Sequence, residues 1–229
     1  MTILTPLAGA LALVVLSVLT LLLAAVEARR FAARGGRAHL YWSAGLGLVV
    51  VTILFEAVFY SGAWSELLAQ SYLFLVAVLV GLLSLGSAEL LLPARARPIY
   101  AGYVAVTCAI VGYFSLTQPV APSILSDGVF TGNPSLAVIL ASSLVTLPAA
   151  AVMVIGSLRS AVKLRQWRLL YVTAGILVIS AAGTLYIVSV PITLYFAEFV
   201  GVLLLFIGFG GLPARSAARS PAPSAAGGA

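Results

Sequence analysis

Long apolar runs alternate with short polar connections along the chain, and several are longer than the core of a water-soluble helix needs. The first, Ile3 to Ala28, is closed by Arg29, Arg30, Arg34 and Arg37. The second extends from Leu40 to about Gly62 and the third from about Leu67 to Leu92, across an outer turn at 64–70. Pro93 and Pro98 bracket Arg95 and Arg97 and stop the third run. A fourth, Ile99 to Leu116, leads into a segment at 117–134 whose three prolines and two glycines forbid a regular helix. The fifth starts near Ser135, carries Pro148 at mid-depth and ends before Arg159. Here a kink is expected, with the hydroxyls of Ser142, Ser143 and Thr146 re-satisfying the freed backbone. The sixth reaches about Val188, a tight turn follows at Pro191, and the seventh ends near Leu212. Residues 214–229 are Ala, Ser, Pro, Gly and Arg, too poor in apolar side chains to fold, and are expected to be disordered.

Composition turns these runs into a class. The chain is 62% hydrophobic and 8% charged, so a soluble fold could not cover its apolar surface. At roughly 20 residues per crossing, 229 residues accommodate at most seven spans. The expected fold is therefore an all-α integral membrane protein with seven transmembrane helices. The net charge of +6 does not point to nucleic acid, because all twelve Lys and Arg fall in three connections and the tail, on one side of the bundle. That asymmetry predicts an N-terminus outside, a cytoplasmic C-terminus and a place in the cell membrane, with the lipid bilayer as first partner. The first run has its basic residues after it rather than before it, the opposite of a secretory signal, so it is expected to be a retained span.

The runs also repeat. LYWSAG from Leu40 recurs as LYVTAG from Leu170, and Val80 to Arg95 matches Val200 to Arg215 at eight of sixteen positions. Two Leu-rich helices would share roughly three by composition. Spans one to three (3–97) and five to seven (135–213) then form parallel repeats about the linker helix at 98–117, followed by the outer loop 117–134. This three-plus-one-plus-three layout resembles that of SWEET-type sugar carriers and, more loosely, the seven-helix opsins. The resemblance is one of layout. The chain has no Pro-Gln pair of the SWEET relatives, and its one lysine, Lys163, is in a basic connection rather than in span seven, where an opsin forms its retinal Schiff base. Parallel repeats imply a substrate site at their interface.

Two carboxyls are embedded in apolar spans, and they are the candidate ligand or proton site. Glu56 lies roughly 9 Å inward of Gly62, and Glu198 roughly 10 Å inward of Pro191, counting the helical rise. An ionisable group at such depth costs on the order of 3 kcal/mol and ordinarily faces the bundle interior. Thr52 and Tyr60 are one turn either side of Glu56, and Tyr195 is three residues before Glu198. If the two carboxyls approach each other, they hold a proton that can be shared or exchanged. The competing reading is a neutral Glu acting as hydrogen-bonding glue between helices. Glu89 and Glu27 read instead as partners of nearby arginines, and the loop carrying Asp127 as a lid over the outer mouth. Ala101, Ala105 and Ala109 form a small-residue stripe suited to close helix contact, within the bundle or between protomers.

One cysteine, Cys108, excludes an internal disulfide, and one histidine, His39, excludes bis-His haem ligation within the chain. With no acid-His-nucleophile set, neither an enzyme nor a cofactor is expected. The sequence thus points to binding or transport of an unidentified small molecule between the repeats, coupled to a proton. The alternatives are an accessory subunit of a membrane complex and a sensory receptor without retinal. The remaining partner class is a second copy of the chain or another membrane subunit.

Overall fold

The computed structural model describes residues 4–124, 130–165, 167, 170–178 and 191–210. Side chains at a subset of these positions, 191–198 among them, lie outside the described residues. In chain order the elements are α1 (Leu4–Arg34), α2 (Arg37–Tyr60), α3 (Glu66–Leu91), α4 (Ala96–Thr117), strands β1 (Ala121–Ile124) and β2 (Phe130–Asn133), α5 (Leu136–Leu164), α6 (170–178) and α7 (Pro191–Gly210). Four of these helices, α2, α3, α4 and α5, are long and apolar enough to cross a membrane. Their outward faces carry Leu54, Val106, Leu140 and Leu147, all exposed, a surface that hydrocarbon rather than water would cover.

The helices overrun the apolar stretches that define them. α1 continues through Arg29 and Arg30 to Arg34, where Gly35 takes a positive φ of 67° and its N–H bonds Phe31 O at 2.7 Å. That left-handed cap is natural to glycine. α5 likewise passes Arg159 and Lys163 before Arg165 closes it in the left-handed region. At these two ends the cations lie at the carbonyl terminus, which the helix dipole favours. The outer turn is shorter than 64–70: Ser65 is already extended as the N-cap and Glu66 opens α3, an acid where the helix dipole favours one. Pro98 does not extend the break after Pro93. It sits in the first turn of α4, where the missing N–H would have had no helical acceptor.

The stretch after α4 is more ordered than its prolines suggest. β1 and β2 pair antiparallel, with Ala121 opposite Asn133 and Ile124 opposite Phe130, and β2 packs on α2. The all-α expectation therefore gains a small two-stranded ribbon. Proline denies a helix but is tolerated in a strand with a free edge, and a two-stranded ribbon has only edges.

α3 is central, packed against α2, α4 and α5, while α1 joins α2 to α7. One cluster combines Leu23 and Ala24 of α1, Leu46 of α2, Ala161 of α5, Val172 and Ile176 of α6 and Leu205 of α7. Another sets Leu13 and Leu16 of α1 with Ile53 of α2 and Val202 of α7. A third joins Ala77, Val111, Ala141 and Val145 from α3, α4 and α5. Glycines permit the closest approaches. A Cβ on Gly45 would lie 2.8 Å from Leu83 Cδ2, and one on Gly175 would lie 2.7 Å from the Gly201 carbonyl.

Pro148 is accommodated differently from expectation. Ser143 donates to Ile139 O and Thr146 to Ser142 O, each to its own preceding turn. The carbonyl that Pro148 frees is that of Leu144, four residues earlier, and the phenol of Tyr103 on α4 donates to it. Tyr103 stacks on Tyr100, whose hydroxyl donates to Ser84 Oγ of α3 at 3.0 Å. The stacked tyrosine pair of α4 therefore bonds α3 through Tyr100 and the broken turn of α5 through Tyr103.

Candidate functional site

α2 presents a buried arc towards its neighbours. At 100° per residue, Phe59, Thr52, Glu56, Tyr60 and Ile53 follow one another around that arc in this order. Glu56 is 6% exposed, and its Oε1 accepts from Tyr72 Oη of α3 at 2.7 Å. Thr52 is buried and donates to Val49 O at 2.9 Å, satisfied within its own helix. Tyr60 packs on the cluster of Leu13, Leu16, Ile53 and Val202, on the α1 and α7 side of the arc. Glu56 thus lies at the centre of the arc, between a face on α3 and a face on α1 and α7.

The side chains of Glu198 and Tyr195 lie outside the described residues. Backbone register still places position 198 one turn before Val202 on α7, and Val202 shares a cluster with Ile53, three residues from Glu56. The described structure therefore brings together Glu56, Thr52 and Tyr60, and links α7 to this part of α2 through α1.

An aromatic layer closes the outer end of this arc. Phe59, Ala69 and Val120 are buried together, with Phe55, Trp64 and Tyr72 packed against them. Phe59 lies 5.7 Å from Trp64 and 5.8 Å from Tyr72 between ring centroids, the second pair edge to face. Val120 precedes β1, and its N–H donates to Glu66 Oε1 at 3.2 Å, while Gln70 Nε2 donates to Gln118 O at 3.0 Å. Two side chains at the start of α3 therefore strap the entry to the hairpin across the layer. The entry to the loop is thus fastened through Glu66 and Gln70, while Asp127, which the lid expectation invoked, lies outside the described residues.

A second polar centre is at the basic end. Glu27 is 1% exposed, accepting from Arg30 Nη1 at 2.6 Å and pairing with His39 Nδ1 at 2.7 Å. The arginine partner was legible in the sequence, whereas the histidine is twelve residues away and joins α1 to α2. His39 meets Trp42 edge to face at 5.8 Å. Glu89 pairs with Arg97 at 3.1 Å, as its place near the arginines predicts. Ala105 and Ala109 are exposed, so the α4 stripe faces outward rather than into the bundle.

Tyr72 is the residue that sequence reasoning missed. A signal was available: Glu56 and Tyr72 are equidistant from position 64 in the turn between α2 and α3, so an antiparallel pair brings them level. An open groove of about 610 Å³ lies elsewhere, against Trp167, Leu170, Tyr171 and Ala174 at the basic rim. Among the described residues no group of three or more His, Cys, Asp or Glu could hold a metal ion. No family model, curated protein or solved structure matches the chain.

Proposed function

We propose that the protein is a multi-pass protein of the cell membrane that binds a small solute at a site centred on Glu56, for transport or sensing, with a proton exchanged at the carboxyl. The observation that carries this reading is the burial of Glu56 in an apolar helix, beneath a strapped aromatic layer. A carboxyl in that position costs on the order of 3 kcal/mol, more than helix cohesion needs from one hydrogen bond. In this reading the protein is not an enzyme and uses no cofactor, since Glu56 acts by binding alone. Its N-terminus is outside, its tail is cytoplasmic, and repeats 3–97 and 135–213 flank the site.

The repeat rests on residue identity, and a glycine recurs at one position in both halves. Gly45 and Gly175 are equivalent in LYWSAG and LYVTAG, and each marks a close crossing on the helix that follows. Gly45 meets Leu83, and Gly175 meets Gly201 and Leu205, which align with Gly81 and Leu85. Each half thus has a glycine at this position at a close crossing, made to a different face of the helix that follows.

A second reading draws on the Tyr72 bond itself. If Glu56 is only glue between α2 and α3, the protein is an accessory membrane subunit, and its exposed α4 stripe is a surface for a partner or second copy. The two readings separate on solutes. A small-solute library screened by thermal shift on purified protein should yield ligands whose effect disappears in the Glu56→Gln, Glu198→Gln double variant. Ligand shifts that survive that variant, or a library without a single hit, would reject a solute site at Glu56.

A further inference from the structure

Resting on that reading, we infer that the solute is a small organic cation, of the ammonium or quaternary ammonium class. The first reason is charge. No Lys or Arg occurs at 38–94, 98–158 or 169–214, so every basic side chain belongs to one end of the bundle. The sequence assigns Glu56, Glu66, Asp127 and Glu198, four of the six carboxyls, to the opposite ends of the apolar runs. An approaching solute there meets a field of one sign, which concentrates cations and repels anions.

The second reason is the chemistry packed around Glu56. Phe59, Trp64 and Tyr72 form one contact cluster on its outer side, and Tyr72 reaches the carboxylate directly. Aromatic faces attract a cation through their quadrupole, most strongly when water is excluded, and tryptophan does so best. A carboxylate beneath such rings supplies the formal counter-charge. A neutral sugar would instead want several fixed donors and acceptors. Along this arc Thr52 is already bonded to Val49 O and the Tyr72 phenol to Glu56, and the remaining polar groups are few beside the rings and carbon that pack there.

The third reason is access. Trp64 lies in the turn between α2 and α3, and the Glu66 and Gln70 bonds hold the backbone at 118–120 over the layer. In the closed arrangement the rings pack on one another. A cation enters when the strap releases and Trp64 moves from Phe59, replacing ring-to-ring contact with ring-to-cation contact.

The experiment uses full-length protein in lipid nanodiscs, with choline and tetramethylammonium as cation probes and 3,3-dimethylbutan-1-ol as the uncharged carbon counterpart of choline. Binding is followed by calorimetry and thermal shift. At least one cation should bind about tenfold or more tightly than the alcohol, and Glu56→Gln should remove that preference. Trp64→Leu should weaken the cation roughly threefold or more while leaving Glu56 in place, which covers the case of a Glu56→Gln variant that does not assemble. Equal binding of alcohol and cations, or no cation binding at all, would overturn the cation assignment. If neutral or anionic solutes then bind in a Glu56-dependent way, the solute site stands without its cation class. If no solute depends on Glu56, both fall.

Discussion

The phenol of Tyr103 on α4 donates to the Leu144 carbonyl of α5, the acceptor that Pro148 deprives of its helical N–H. A break within one helix is thus repaired by its neighbour, and α4 and α5 are joined where α5 is weakest. Pro148 lies mid-way along α5, so bending there would displace the half of the helix nearer Ser135 and the hairpin joined to it.

Tyr103→Phe is therefore expected to cost about 0.6 to 1.7 kcal/mol, the range of interhelical hydrogen bonds in membranes. In a Pro148→Ala background the residue at 148 donates to Leu144 itself, and Tyr103→Phe should cost close to nothing. Unfolding titrations on the four proteins of this cycle check it. Equal costs in both backgrounds would mean that Tyr103 acts by packing alone.

The Glu56 and Tyr72 pair should behave as a unit. Tyr72→Phe removes a donor to a buried carboxyl and is expected to destabilise by about 1 to 3 kcal/mol. With Glu56→Leu already present there is no acceptor left to strand, so the same change should be nearly neutral. Chemical unfolding of singles and double measures the coupling, and strict additivity would contradict it.

Close crossings should be intolerant of a single methyl. Gly175→Ala sets a Cβ against the backbone carbonyl of Gly201, which cannot rotate away, and should cost roughly 1 to 3 kcal/mol. Gly47 of α2, where an added methyl would meet nothing within 4 Å, should accept alanine without loss. Similar melting temperatures for the two variants would argue against a tight contact between α6 and α7.

Topology is open to direct measurement. A reporter active only in the cytoplasm, fused after Arg219, should be active if the proposed topology holds, since all twelve basic residues fall in alternate connections and the tail. Activity of an export-dependent reporter at the same position would reverse the orientation, and Glu56 would then lie in the inner half.

Much of the site was readable by symmetry about the turns. Glu56 and Tyr72, Ser84 and Tyr100, and Ser157 and Thr173 are each separated by sixteen residues, centred on 64, 92 and 165. Each pair bonds across a helical hairpin, and Glu89 with Arg97 follows the same rule about 93. Antiparallel helices joined by a short turn keep residues equidistant from it at one depth, so separation along the chain stands in for proximity.

The sequence by itself determined the apolar runs, the confinement of arginine to connections and tail, and the position of each carboxyl along its run. All three depend on composition and the helical rise of 1.5 Å per residue, which need no partner. Only the tertiary structure decided which way those residues face. A helix apolar on all sides has no hydrophobic stripe to fix its rotation, so neighbours set it. Tyr103 meeting Leu144, His39 meeting Glu27 and Glu66 holding Val120 all depend on that rotation. The prolines of 117–134 excluded a helix, but the strand pairing and its strap on α3 needed partners 54 and 48 residues away along the chain.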